Sequence, residues 1–338
     1  MSLQNALDLH REGRLDDAES AYRACLASDP VDVDALYLLA VLSLQRGDPV
    51  KARELIDRAI ELAPDLARHY LLRGATQLRV EDVAAAQASF EKALELDPNC
   101  AEAYATLGHL ALGNDDTANA EARFRVGRRV DDDDPMLLLG LGNIYLSRGE
   151  ATNAVKFLTR AAEVKPGDAA IQATLGHALF EQGAYAFAEK ALRNAISMRS
   201  DLSFGRLILA RALLRQKRLD EARVEFNALL NDNQQVFGAT AGLADVARLS
   251  NRTAAALKYY RRALAIDPAH VGAVKSCVWC LEKLGDVQGA AECLEAALKQ
   301  NPERDDLRQP LVQMLEKLGR HEDAAQFRQG RPTAFADN

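Results

Sequence analysis

Two short motifs in this sequence contain residue types that bind metals or carry out redox chemistry. Cys277 and Cys280 have the two-residue spacing of redox-active and zinc-binding cysteines, and four carboxylates follow one another from Asp131 to Asp134. Thiolates are ligands of zinc, and carboxylate oxygens are ligands of calcium. These two motifs are therefore the first candidates for a catalytic or metal site.

The surroundings of the two cysteines argue against both kinds of chemistry. A redox pair with this spacing belongs near a βαβ pattern, whereas Cys277 and Cys280 lie in the middle of a predicted helix. A zinc site needs two further ligands, and Cys293, His270 and His321 have no matching spacing. We therefore expect Cys277 to be a small core residue in place of a leucine.

The four aspartates fit the start of a helix better than a calcium loop. Asp134 is a suitable N-cap, Pro135 suits the first helical position, and acidic residues are favourable near a helix N-terminus. The ligand spacing of a calcium loop is missing. The six histidines form no recognisable arrangement with a nucleophile, and the sequence has no glycine-rich phosphate loop. We predict no catalytic residue, no metal and no cofactor.

Charge and composition narrow the classes of partner. The 338 residues carry a formal net charge of −7, which does not favour binding to nucleic acid, because that binding depends on cationic side chains. Five cysteines without regular spacing do not indicate a disulfide framework and favour a reducing compartment. The first 30 residues are rich in charge, and no window approaches the apolar length of a membrane span. We therefore predict a cytoplasmic protein that neither binds nucleic acid nor inserts into a membrane.

An alanine recurs every 34 residues and organises the whole chain. These alanines are Ala18, Ala52, Ala86, Ala120, Ala154, Ala188, Ala222, Ala256, Ala290 and Ala324. A fixed period of this length indicates a stack of repeated supersecondary units. With this alanine as position 20, the predicted repeats cover about residues 1–32, 33–66, 67–100, 101–134, 135–168, 169–202, 203–236, 237–270, 271–304 and 305–329, and a flexible tail covers 330–338.

Proline and glycine divide each repeat into two helices. Position 32 is proline in six repeats, and proline ends a helix. Position 15 is glycine in six repeats, where it can adopt the left-handed conformation that ends the first helix. Position 8 is alanine or glycine in the first eight repeats and is expected to face the alanine at position 20, whereas position 24 is large and apolar. The sequence predicts an all-α solenoid of about ten helix–turn–helix repeats.

This pattern resembles the tetratricopeptide repeat family. The resemblance covers about residues 3–329 and includes helix ends such as Leu96–Asp97–Pro98. It implies a right-handed superhelix whose first helices line a concave groove that binds peptide or protein segments. The chain departs from the family pattern at Arg73 (position 7), at Gly127 (position 27) and at Pro310, which is expected to shorten or kink the first helix of repeat ten.

In the family's geometry, positions 5, 9 and 12 of each first helix face the groove. Positions 5 and 12 are mostly apolar in repeats two to seven, and position 9 forms a polar row. The predicted groove residues are Tyr37, Leu71, His109, Leu139, Asn143, His177, Leu207, Arg211, Asp245, Lys275 and Trp279. An exposed apolar trough would bind an amphipathic helix or an apolar extended peptide, with Trp279 as its anchor. The alternative is that neighbouring repeats cover positions 5 and 12.

Three hypotheses for function remain. The leading one is a non-catalytic scaffold or adaptor that binds a protein or peptide segment in the groove, the second is the substrate-recruiting arm of a larger enzyme such as a transferase, and the third is self-association through the apolar trough. Chaperone-binding relatives hold a carboxylate with a lysine at position 5 and an asparagine at position 9, but here Lys275 stands with Trp279 and Asn143 with Leu139. The asparagine row of the sugar-transferase relatives, at position 6, is absent too.

Overall fold

The computed structural model describes residues 2–328, which belong to two compact units. The first unit ends at Pro166 and the second begins at Gly167. The described residues form twenty α-helices and no β-strand. The predicted all-α architecture of helix–turn–helix repeats is therefore confirmed.

The first unit contains five helix pairs whose starts follow the sequence period. Helices α3, α5, α7 and α9 begin at residues 33, 67, 101 and 135. The helices are α1 (Leu3–Arg11), α2 (Leu15–Ser28), α3 (Val33–Gln45), α4 (Pro49–Leu62), α5 (Ala67–Arg79), α6 (Val83–Leu96), α7 (Ala101–Gly113), α8 (Thr117–Val130), α9 (Pro135–Ser147) and α10 (Ala151–Val164).

The second unit contains five further pairs within its described residues. They are α11 (Ala169–Glu181), α12 (Tyr185–Met198), α13 (Ser203–Arg215), α14 (Leu219–Asn231), α15 (Val236–Leu249), α16 (Thr253–Ile266), α17 (Val271–Lys283), α18 (Val287–Gln300), α19 (Asp305–Lys317) and α20 (His321–Arg328). Helix α19 contains Pro310 and still has 13 residues, like α17. The expected shortening of this helix is therefore wrong. The predicted tail over 330–338 lies outside the described residues.

The aspartate run before α9 is used for capping and for an ion pair. Asp134 accepts hydrogen bonds from the backbone N–H groups of Met136 and Leu137, at 2.8 and 2.9 Å. Asp133 accepts a hydrogen bond of 2.7 Å from Nε of Arg160. The predicted role of Asp134 as an N-cap is confirmed.

Position 15 is left-handed in all ten repeats, whatever the residue. The six glycines at this position have φ between 74° and 85°. In the other four repeats Glu81, Asp115, Lys217 and Asn251 have φ between 57° and 62°. The turn between the two helices therefore requires this conformation, which costs a residue with a side chain more than it costs glycine.

The two helices of each repeat meet through small residues. The position-20 alanines are at most 1% exposed. A Cβ atom added to Gly74 would lie 2.7 Å from the ring of Phe90, and one added to Gly142 would lie 2.5 Å from Leu158. Position 8 therefore makes room mainly for the large side chain at position 24 of its own repeat. The sequence predicted a contact of position 8 with position 20 and did not predict this one.

Two departures from the family pattern have local explanations. Arg73 donates a hydrogen bond of 3.0 Å to Oγ of Ser89, which in turn donates one of 2.7 Å to Gln77. Gly127 packs closely on the next repeat, since an added Cβ atom would lie 2.8 Å from Leu137. Arg73 thus replaces an apolar contact by a buried hydrogen-bond network, and Gly127 permits a close approach.

The close approach at position 20 predicts that Ala188→Leu lowers the melting temperature. Ala188 is fully buried, and overpacking of such a site costs about 1–3 kcal/mol. Circular dichroism at rising temperature measures the effect. Ala186→Leu, at an exposed position of the same helix, is the matched control and should melt like the unmodified protein. Equal melting temperatures for the two variants would contradict the close approach.

The left-handed position 15 predicts opposite effects for two further variants. Gly149→Ala should lower the melting temperature, because a left-handed conformation costs a non-glycine residue about 1–2 kcal/mol. An added Cβ atom at Gly149 meets nothing within 4 Å, so this variant tests the backbone alone. Lys217→Gly should raise the melting temperature by a smaller amount, because the flexibility of glycine in the unfolded chain offsets part of the gain. Shifts of the same sign would contradict the assignment.

Candidate functional site

The apolar members of the predicted groove are largely covered by neighbouring side chains. Leu139 and Leu207 are only 8% and 4% exposed, so they belong to the core. Tyr37 and Leu71 are half-buried, and the guanidinium of Arg68 lies 5.1 Å from the centre of the Tyr37 ring. Neighbouring residues therefore cover Leu139 and Leu207, and these two leucines do not form an exposed trough.

The two histidines of the predicted groove are engaged within the protein. Nε2 of His109 lies 3.1 Å from the carbonyl oxygen of Met136, and the ring packs edge-on against Phe124. The ring of His177 packs edge-on against Phe204. Burial lowers the pKa of both histidines. His109 therefore binds the protein's own backbone, with a neutral ring at physiological pH.

Asp245 and Lys275 also have partners in the second unit. Asp245 accepts a hydrogen bond of 2.6 Å from the Tyr260 hydroxyl and lies 3.1 Å from the Arg248 guanidinium. Nζ of Lys275 lies 2.8 Å from the Asp306 carboxylate. Both charges are thus compensated internally. Asn143, in the first unit, is half-buried.

A cavity of about 460 Å³ opens on the first helices α13 and α15 of the second unit. Its wall includes Phe180 and Phe237 with the small residues Gly238 and Ala241, and the charged residues Arg211, Arg215, Asp245 and Arg248 also line it. The sequence prediction contained Arg211 and Asp245. Arg215 at position 13 was missed, although it follows Arg211 by one helical turn, which is a signal that the sequence does contain.

Arg211 and Arg215 differ from most arginines of the chain in having no carboxylate partner. Arg148 pairs with Glu121 and Arg218 with Glu189, each at 2.6 Å. Within residues 2–328, Arg211 and Arg215 are exposed and make no such ion pair. These two guanidinium groups are therefore available to an external carboxylate.

Trp279 continues this surface on α17. Its side chain is 40% exposed, and the cationic groups of Arg248 and Lys283 lie 6.0 and 5.8 Å from its ring centre. Arg248 thus lines the cavity and also lies over the Trp279 ring. We call the set of Arg211, Arg215, Arg248, Trp279 and Lys283 the arginine–tryptophan surface.

The cysteine motif has a different neighbour from the one that its spacing suggests. Cys277 and Cys280 are both buried, and the prediction that Cys277 is a core residue is confirmed. Cys277 is a neighbour of Cys293 on the next helix, and both side chains line one cavity. The sequence spacing missed this contact, although positions 7 and 23 also meet in repeat three, where Arg73 binds Ser89.

Three histidines with lowered pKa values predict a loss of stability on mild acidification. Burial lowers the pKa of His69, His109 and His177 below the ordinary value of 6.5, so the unfolded chain binds protons that the folded protein does not. The melting temperature should fall from about pH 7.5 to about pH 5.5, above the range in which carboxylates titrate. His109→Gln keeps a donor for the Met136 carbonyl and should reduce this fall. An unchanged pH dependence in the variant would contradict the assignment to His109.

Comparison with known proteins supports the repeat architecture. A family model described as the cilia and flagella-associated protein 70 C-terminal domain matches residues 4–201. A tetratricopeptide repeat model matches residues 173–235, 209–271 and 281–334. No curated protein sequence matches the chain. Within residues 2–328, no helix is long and apolar enough to cross a membrane.

Two solved structures share the fold at low sequence identity. The chain aligns with a chain of the APC/C hetero-tetramer Cut9-Hcn1 with a TM-score of 0.58 and 20% identity, over 79% of this chain and 52% of that one, so it spans about half of that relative. It aligns with PilF of Pseudomonas aeruginosa with a TM-score of 0.51 and 18% identity, over 61% of this chain and 93% of that one. With the helix pairs and the family match over residues 4–201, the conclusion is that the chain belongs to the tetratricopeptide repeat family.

Proposed function

We propose that this protein is a non-catalytic scaffold that binds an acidic segment of a partner protein on the arginine–tryptophan surface of its second unit. Repeat proteins of this kind present extended surfaces made of successive helices, and tetratricopeptide repeats typically mediate protein–protein interaction. The binding surface lies on α13, α15 and α17, which are the first helices of three successive repeats. Each of them contributes at least one cation.

The observation that carries the proposal is the pair of uncompensated guanidinium groups at the cavity. Arg211 and Arg215 are four residues apart on α13, so their side chains project from the same face of the helix. An arginine fork binds a carboxylate through two parallel hydrogen bonds. An Asp or Glu side chain of a partner, or a terminal carboxylate, therefore fits this site.

The cavity wall adds a requirement for an apolar group beside the acid. Phe180, Phe237 and Ala241 line the cavity, and its volume of about 460 Å³ is within the range of about 300–1,000 Å³ that is usual for ligand-binding pockets. Trp279 offers an exposed ring for a second contact, and aromatic residues often dominate binding energy at interfaces. The expected ligand is an extended segment with alternating acidic and apolar residues.

Selection of displayed peptides of about 12 residues on the purified full chain tests the proposal. We expect enrichment of sequences in which Asp or Glu adjoins Leu, Phe or Trp. The double variant Arg211→Gln/Arg215→Gln should bind a selected peptide at least about tenfold more weakly, since a hydrogen bond to a charged group contributes about 1.5–3 kcal/mol. Isothermal titration calorimetry measures the difference.

A matched pair of arginines in the first unit provides the control. Arg79 occupies position 13 of repeat three, as Arg215 does in repeat seven, and Arg129 is an exposed arginine of α8. Arg79→Gln/Arg129→Gln removes the same charge and should leave the affinity unchanged. Equal losses in the two double variants would show general charge attraction and would contradict the site. Selection of peptides without acidic residues would contradict it too.

A further inference from the structure

Cys277 and Cys293 are neighbours on the two helices of repeat nine. Cys277 lies on α17 and Cys293 on α18, and both side chains line the same cavity. They occupy positions 7 and 23 of the repeat. The same two positions are in contact in repeat three, where Nε of Arg73 lies 3.0 Å from Oγ of Ser89. The proximity of Cys277 and Cys293 therefore follows from the geometry of the repeat.

A surface cavity of about 380 Å³ gives access to this pair of thiols. Both Cys277 and Cys293 line it, and the small residues Gly289 and Ala296 on α18 leave the space open. Cys277 is buried, whereas Cys293 is half-buried and reaches solvent. A small reagent that enters the cavity therefore meets Cys293 first.

The surroundings of Cys293 favour its thiolate form. The neighbouring Cys277 thiol and the charge of Arg261 on the cavity wall lower the pKa of Cys293, against the opposing effect of burial. The Glu292 carboxylate also lies on the cavity wall, where it accepts a hydrogen bond of 2.8 Å from Gln288. Reactive cysteines typically combine partial exposure, a positive neighbour and a second thiol within reach.

We propose that Cys293 and Cys277 form a peroxide-sensitive pair in which Cys293 is oxidised first and Cys277 converts the product to a disulfide. The Cys293 thiolate attacks one oxygen of hydrogen peroxide, an S–O bond forms, the O–O bond breaks, and the leaving hydroxide takes up a proton to become water. The sulfur of Cys277 then attacks the sulfenic sulfur. An S–S bond forms, the S–O bond breaks, and the hydroxide leaves as water with the proton of Cys277.

The two electrons come from the two thiols, and peroxide is reduced to two molecules of water. Cys280 is excluded from this pair by its position, because it is buried on α17 and does not line the cavity. Cys25 and Cys100 lie in the first unit. They serve as internal references for the reactivity of the other thiols in the same molecule.

Treatment of the reduced full chain with hydrogen peroxide tests the proposal. After alkylation, we expect the loss of two of the five free thiols. Cleavage after Trp279 and after lysine separates Cys277 from Cys280, so mass spectrometry identifies which of the two is joined to Cys293. A disulfide between Cys277 and Cys293 is the expected product.

Three variants separate the steps. Cys280→Ala should form the same disulfide, Cys277→Ala should stop at a sulfenic acid on Cys293 that dimedone traps, and Cys293→Ala should leave Cys277 reduced. Oxidation of Cys293 no faster than that of Cys25 and Cys100 would overturn the proposal. So would a disulfide that includes Cys280. Because the reference thiols belong to the same chain, the comparison also holds within each variant.

Discussion

Each repeat depends on the contact between a large side chain at position 24 of its second helix and a small residue at position 8 of its first helix. Gly74 and Gly142 show how tight this contact is, since a single added carbon would overlap the side chains of Phe90 and Leu158. Phe124 also packs on Gly140, in the first helix of the following repeat. One side chain thus holds a helix pair together and joins it to the next pair. This packing fixes the spacing of the first helices, on which every predicted groove residue lies.

Ion pairs between successive repeats form a second regular pattern. Glu121 and Glu189 stand at position 21 of their repeats, and each pairs with an arginine in the turn between the two helices of the next repeat. The hydrogen bond from Arg148 lowers the pKa of Glu121 below its ordinary value, which burial alone would raise. Arg46 pairs in the same way with Glu19, which is also at position 21. Arg211 and Arg215 line the cavity of the second unit and form no ion pair with a carboxylate of the described residues.

The sequence predicted the local backbone well, because the relevant signals are local. Pro135 and Asp134 mark the start of α9, and Gly149 marks a left-handed turn. At Lys217 the same turn has no glycine, so only the register of the neighbouring repeats could reveal it. Helix α19 likewise keeps its length in spite of Pro310, because packing against its neighbours outweighs one missing hydrogen bond.

The exposure of the groove residues could not be predicted in the same way, because it depends on the sizes of side chains in other helices. Leu139 and Leu207 share a repeat position with Lys275, yet they are buried while Lys275 is exposed. The contact between Cys277 and Cys293 is equally invisible to sequence spacing and becomes evident only when the repeat is treated as a three-dimensional unit.

Helix α17 brings the two proposed sites close together without making them one site. Cys277 and Trp279 are two residues apart, so their side chains leave the helix in different directions, one into the core and the other toward solvent. A disulfide at Cys277 therefore reaches the arginine–tryptophan surface only through a displacement of α17 itself. Arg248, which lies over the Trp279 ring, is the group of the neighbouring repeat that such a displacement would affect first, because contacts in a repeat array extend only to adjacent repeats.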